Sequence, residues 1–238
     1  MHDPVSHASD AGRDLAAILE AVETAGLAWR GAFHPAASQG VPALSDGAAA
    51  GTLALLGFAG HAQWPGFADS AEARDGRPDA LDRWSRRIVD DLARRLGAMA
   101  LYPFGRPPYL PFHEWARAAE PVFASPLGIL IHPRWGLWHA YRGALAFRER
   151  LALPPPVAVA SPCESCAGRP CLGACPVGAF QPGRYDVARC AAHLQEPAGG
   201  ACLGGGCLAR HACPVGAEHR YGPAQASFHM RAFLASRP

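Results

Sequence analysis

Eight cysteines carry the chemistry legible in this chain, and all lie between Cys163 and Cys213 of a 238-residue sequence. The first run reads Cys163-x2-Cys166-x4-Cys171-x3-Cys175-Pro176, and the second holds Cys190, Cys202, Cys207 and Cys213-Pro214. A repeat links them: Ala174-Cys175-Pro176-Val177-Gly178-Ala179 recurs as Ala212-Cys213-Pro214-Val215-Gly216-Ala217. The stretch Met1 to Gly12 is polar and has no basic-then-apolar signal segment. The expected location is therefore cytoplasmic, where thiols stay reduced and clustered cysteines are read first as metal ligands.

Bacterial two-cluster ferredoxins are similar in this respect. They use C-x2-C-x2-C-x3-C-P, and the last cysteine of each run ligates the other cluster. Three cysteines on a tight loop grip three irons of a cube, a distant fourth closes it, and the proline turns the chain away. On that resemblance, one [4Fe–4S] cluster takes Cys163, Cys166, Cys171 and Cys213, and a second takes Cys175, Cys190, Cys202 and Cys207. No thiol is left over. The third ligand of the first run arrives two residues late and the second run is looser, so either the loops bulge or one site is nonstandard. Two zinc sites of four cysteines each are the competing reading. Zinc sites usually show paired C-x2-C knuckles, whereas this chain has one such pair and two Cys-Pro closures.

A second dense segment precedes the cysteines: Pro126 to Leu145, with His132, Trp135, Trp138, His139, Tyr141 and Arg142 among its residues. Read alone, it is a pair of strands around the turn His132-Pro133-Arg134-Trp135-Gly136, with tryptophans that could be plain core. Arg142 sits amid apolar neighbours and needs an anionic or carbonyl partner, because burying it unpaired is costly. The run Ile131 to Gly136, continuing to Arg142-Gly143, resembles a signature of the cblC-type cobalamin-processing proteins. That segment followed by a dicluster module resembles the epoxyqueuosine reductases, which are cobalamin-dependent iron–sulfur enzymes.

The resemblance implies an α+β chain: a flavin-reductase or nitroreductase-like N-terminal domain that holds cobalamin, and a small ferredoxin-like dicluster C-terminal module. It implies that His132, Gly136, Trp138 and Arg142 line a corrinoid pocket or its reductant site. Electrons from a flavodoxin, ferredoxin or reductase would pass through the clusters to cobalt, making the protein an oxidoreductase of the cobalamin reductase or decyanase kind. Flavin stays open as a further cofactor, and the cblC-type relatives imply a homodimer. The alternatives are a ferredoxin-like carrier without corrinoid, an epoxyqueuosine reductase-like tRNA enzyme, and a zinc-stabilised binding module. The acidic stretch that carries the proton donor of epoxyqueuosine reductases is not recognisable before Pro126, where Glu120 is the carboxylate close by.

Composition narrows the field. The sequence contains no lysine, which excludes Schiff-base chemistry, a Walker phosphate loop and a Ser-Lys dyad. It contains no asparagine and so no N-glycosylation site. A net charge of +2 argues against a nucleic-acid partner held by bulk phosphate neutralisation. Gly, Pro, Arg or His interrupts every long apolar run, so no membrane span is expected.

The elements that must position this chemistry follow from periodicity. A tail (1–10) precedes an α+β domain (11–153), the module (157–223) and a C-terminal docking segment (224–238). Helices are expected at 11–25, capped by Asp10 and stopped by Gly26, at 80–96, capped by Asp79 and stopped by Gly97, and at 112–119. Strands are expected at 27–33, at 52–58 and through Leu101, with a loop over 60–77 and a hairpin-like pair at 127–132 and 137–147. Pro154 to Pro156 reads as a stiff connector. A helix over 225–235 would dock through Phe228, Met230 and Phe233.

Overall fold

The computed structural model describes residues 14–181 and 183–237, so Asp10 and the tail lie outside the described residues. Helix α1 (Leu15–Thr24) begins at Asp14, whose Oδ1 accepts from the Ala16 N–H at 3.0 Å, and ends where Gly26 turns left-handed. Strands β1 (Ala28–Phe33) and β2 (Thr52–Ala59) follow. The stretch expected as loop forms two short helices, α2 (Trp64–Ala68) and α3 (Ala71–Arg74). Ser70 Oγ caps α3 by accepting from the Ala73 N–H, and Trp64 and Phe67 are drawn into an aromatic cluster.

Helix α4 (Ala80–Leu96) has the expected bounds, but Asp79 makes no side-chain cap bond and stands at φ 55°. Arg83 ties down that end instead: its guanidinium grips Asp75 with two bonds of 2.8 Å, and its Nε donates to the Pro78 carbonyl. After α4 come β3 (Met99–Leu101), α5 (Phe112–Ala119), β4 (Phe123–Ala124), β5 (Leu130–Ile131) and β6 (His139–Phe147).

One antiparallel sheet, in the order β1-β2-β6-β3, forms the centre. Leu53 and Leu55 of β2 pack towards Phe112 and Trp115 of α5. Ala54, Leu56 and Phe58 pack on the other face with α1 and α4. With both faces covered, β2 reads as an unbroken apolar run rather than an alternation. The hairpin expected around residues 132–136 is only partly formed. His132 and Gly136 close the turn with two backbone bonds of 2.8 Å, but β5 pairs with β4 while β6 enters the main sheet between β2 and β3.

Beyond the exposed connector lie α6 (Pro170–Gly173), β7 (Phe180–Gln181), β8 (Arg184–Tyr185), α7 (Val187–Gln195), α8 (Gly200–Gly205), α9 (Leu208–His211) and α10 (Pro223–Ala235). Helices with small antiparallel sheets make the chain α+β. The cysteine-rich region shares its apolar core with the first one: Cys171, Ala209 and Cys213 pack with Leu127, Ile131 and Leu137. Helix α10 docks as expected through Phe228, whose ring lies 5.3 Å from Trp64 and 5.2 Å from Phe67.

Candidate metal centres

The eight thiols fall into two groups of four. Cys163, Cys166, Cys171 and Cys213 line one pocket, walled by Leu127, Ile131 and Leu137. Cys175, Cys190, Cys202 and Cys207 line a second, walled by Phe180, Leu194 and Met230. Each group takes its outlying cysteine from the other half of the repeat. Short helices fix the thiols in place: Cys171 lies in α6, Cys190 in α7, Cys202 in α8, Cys207 opens α9 and Cys213 follows it.

Burial, with neighbouring thiols adding to it, pushes the Cys163, Cys171 and Cys190 thiols up. All eight are free thiols. Among the described residues no three His, Cys, Asp or Glu side chains converge as they would on one ion. Thiols set around a shared space without converging on one point suit a polynuclear group better than a single tetrahedral ion. A backbone donor already points at sulfur, since the Ala179 N–H lies 3.3 Å from Cys175 Sγ.

Beside the first group lies a buried charge cluster built by two bulges. The register of β1 on β2 slips between Trp29 and Ala32, and that of β6 on β2 slips where Leu56 and Gly57 face Gly143 and Tyr141. Each bulge inserts a residue and re-aims its neighbours. In β1 this sends Arg30 toward Glu120, and Gly31 makes it feasible: it stands at φ +84°, where a Cβ would lie 2.3 Å from the Ala119 carbonyl oxygen. In β6 it leaves His139 and Tyr141 on the Arg30 side and turns Arg142 to α4.

Arg30, fully buried, donates to Glu120 Oε1 at 2.7 Å and to the Phe58 carbonyl at 2.9 Å, and stacks 4.3 Å over Trp135. Tyr141 donates its hydroxyl to the same Glu120 oxygen at 2.5 Å. Burial raises the Glu120 carboxyl, with Arg30 opposing it. His139 is held neutral: Nδ1 accepts from Arg30 at 3.2 Å, and Nε2–H donates to the Leu130 carbonyl at 3.1 Å. Its pKa lies well below the usual value, through burial and then the Arg30 charge. His132 Nδ1 accepts from the Arg134 N–H, which leaves Nε2 facing Glu120 Oε2 at 3.8 Å. Burial, then Arg30 and Arg134, lowers the His132 pKa to about 4.

The structure does not gather His132, Gly136, Trp138 and Arg142 into one pocket. His132 belongs to the charge cluster. Gly136 lies against the Val215 backbone. Trp138 is buried among His211, Tyr221 and Arg210. Arg142 finds the anionic partner its burial demands, pairing with Asp82 and donating to Ser85 Oγ at 2.9 Å from the opposite face of the sheet. Arg30 and His193 carry no signal of their own in the sequence pattern, while Tyr141 and Glu120 are visible there without their partners. Gly31, next to Arg30, was the available signal for the first of these.

No family model matches the chain, and no curated protein matches it. Similar solved structures exist. An epoxyqueuosine reductase with a tRNA-Tyr epoxyqueuosine-modified tRNA stem loop matches at a TM-score of 0.50 and 15% identity, covering 87% of this chain and 66% of that one. The fold is similar to that of epoxyqueuosine reductase. A selenomethionine-labelled epoxyqueuosine reductase matches at a TM-score of 0.46 and 17% identity, covering 75% of this chain and 52% of that one. The Bacillus subtilis epoxyqueuosine reductase matches at 0.44 and 18%, covering 72% and 50%. This chain thus spans between half and two thirds of the length of those structures. Among the described residues, no helix is long and apolar enough to cross a membrane.

Proposed function

We propose that this protein is an iron–sulfur oxidoreductase that moves single electrons through two [4Fe–4S] clusters. Cys163, Cys166, Cys171 and Cys213 would hold one, and Cys175, Cys190, Cys202 and Cys207 the other. The observation that carries this reading is the partition of the thiols into two groups of four, each completed from the other half of the repeat. When bound, each cluster supplies a one-electron store whose potential follows burial and hydrogen bonds to sulfur.

The remaining work falls to the chain. Leu127, Ile131 and Leu137 keep water from the first group, and Phe180, Leu194 and Met230 from the second. Leu208, 39% exposed, edges the second group and gives an electron donor its approach there. The first group abuts Ile131, and the next residue, His132, faces Glu120. Those two side chains are placed to hold and hand over a proton where a reduction draws on the first group. Among finer readings, an epoxyqueuosine reductase-like activity has the similarity of fold behind it. A corrinoid acceptor has less support, because its four expected lining residues point to different surroundings.

Anaerobic reconstitution with iron and sulfide tests the proposal. The expected product carries about eight irons and eight sulfides per chain and a broad absorbance that bleaches on reduction. Stoichiometric zinc with no retained iron would overturn it.

A further inference from the structure

The second thiol group has a polar neighbour that no part of the electron path so far accounts for. His193 lies in α7, one helical turn after Cys190, and it lines the same pocket as Cys175, Cys190, Cys202 and Cys207. It is 8% exposed, and its buried Nε2 has no hydrogen-bond partner among the described residues. The rest of that pocket's lining is thiol or apolar. A buried ring nitrogen left unpaired is unfavourable, and the side-chain acceptors lining its own pocket are sulfurs.

The backbone that carries the ring is locked. The Glu196 N–H donates to the His193 carbonyl at 3.2 Å. Gly199 packs so tightly on that carbonyl that a Cβ at this glycine would lie 2.0 Å from the oxygen. Among the described residues, the first pocket has no equivalent donor. Ser125 Oγ there already donates to the Ile129 carbonyl at 2.7 Å, and Arg169 is exposed.

Resting on the iron–sulfur reading above, we infer that His193 donates an Nε2–H hydrogen bond to sulfur of the second cluster and sets its potential apart from that of the first. Reduction adds negative charge that spreads onto sulfur. A donor aimed at sulfur stabilises the reduced form more than the oxidised one and raises the potential. His193 is a positioning and tuning residue, not a ligand: four thiols already complete that group.

The test is an anaerobic redox titration of the reconstituted full chain, following each cluster by electron paramagnetic resonance, with the second signal assigned as the one altered in Cys202→Ser. His193→Leu should keep all its iron and lower only the second midpoint. The expected change is tenfold in the reduced-to-oxidised ratio at fixed ambient potential, or about 59 mV for one electron. His193→Gln, which keeps an N–H donor, should return the midpoint toward the parent value. Unchanged midpoints, equal shifts in both clusters, identical behaviour of the Leu and Gln variants, or loss of half the iron in His193→Leu would each overturn the inference. A parent protein that takes up zinc and no iron would instead overturn the reading on which it rests.

Discussion

Gly136 and Val215 meet backbone to backbone: a Cβ on Gly136 would lie 1.9 Å from the Val215 carbonyl oxygen. Gly216 reciprocates, with a Cβ there 2.5 Å from the Trp135 carbonyl carbon. The turn at residues 132–136 and the closure Cys213-Pro214-Val215-Gly216 therefore form one joint. Arg210 fastens it, donating from Nε to the Leu137 carbonyl at 3.1 Å and lying 4.5 Å over both Trp138 and Tyr221. This joint seats Cys213 beside Ile131 and Leu137, far in sequence from the three thiols it joins.

Gly136→Ala should break the joint. A side chain at φ +55° costs about 1–2 kcal/mol, and displacing the opposing backbone adds about 1–3 kcal/mol. Thermal unfolding should show a lowered midpoint, and metal analysis should show iron falling toward half. Gly128→Ala is the control: its φ is +76° but nothing lies within 4 Å of the new Cβ, so it should show the strain alone and keep its iron.

The crossed grouping predicts crossed losses. Cys213→Ser should abolish the signal of the group at Cys163, Cys166 and Cys171, and Cys175→Ser should abolish that of Cys190, Cys202 and Cys207. Paramagnetic spectra of the two variants read this directly. Loss of the signal belonging to each cysteine's own run would refute it.

Arg30 is wholly buried and Glu120 is its counter-charge, so Glu120→Gln strands a guanidinium in the interior. The expected cost is about 3–5 kcal/mol in urea denaturation. Tyr141→Phe removes one hydrogen bond to the same carboxylate and should cost less, about 1.5–3 kcal/mol.

Acid should unfold the protein through histidines the fold keeps neutral. His132 and His229 are both lowered to about 4, the first by burial with Arg30 and Arg134, the second by burial with Arg210 and Arg142. In the unfolded chain each titrates near 6.5. Between pH 6.5 and 4 the unfolded state therefore binds more protons, and stability falls with pH by up to about 1.4 kcal/mol per unit for each group. His229→Phe should flatten that slope in denaturation curves collected from pH 7 to pH 4.5.

Much of this was readable from residues alone, for physical reasons. The repeated Ala-Cys-Pro-Val-Gly-Ala and the count of eight cysteines point to paired thiol sites, and the resemblance to two-cluster ferredoxins implies which thiols share a site. Helix α4 keeps its expected bounds because its apolar stripe is long and Gly97 stops it, and α5 keeps its own through the spacing of Phe112, Trp115 and Ala116. The charge cluster was not readable. It depends on two bulges, and a bulge is a property of register between strands rather than of one strand's pattern. Arg142 was expected beside His132, but the inserted residue turns it through the sheet to Asp82. The turn at residues 132–136 does have a hairpin's closing pair. Even so, β6 leaves it for the wider apolar surface of β2.

Diffraction at the iron absorption edge, from crystals grown without oxygen, tests the central claim most directly. The account predicts two compact four-iron peaks, one enclosed by Cys163, Cys166, Cys171 and Cys213 and the other by Cys175, Cys190, Cys202 and Cys207. Single zinc ions at those positions, or sulfur–sulfur bonds between the cysteines, would contradict it.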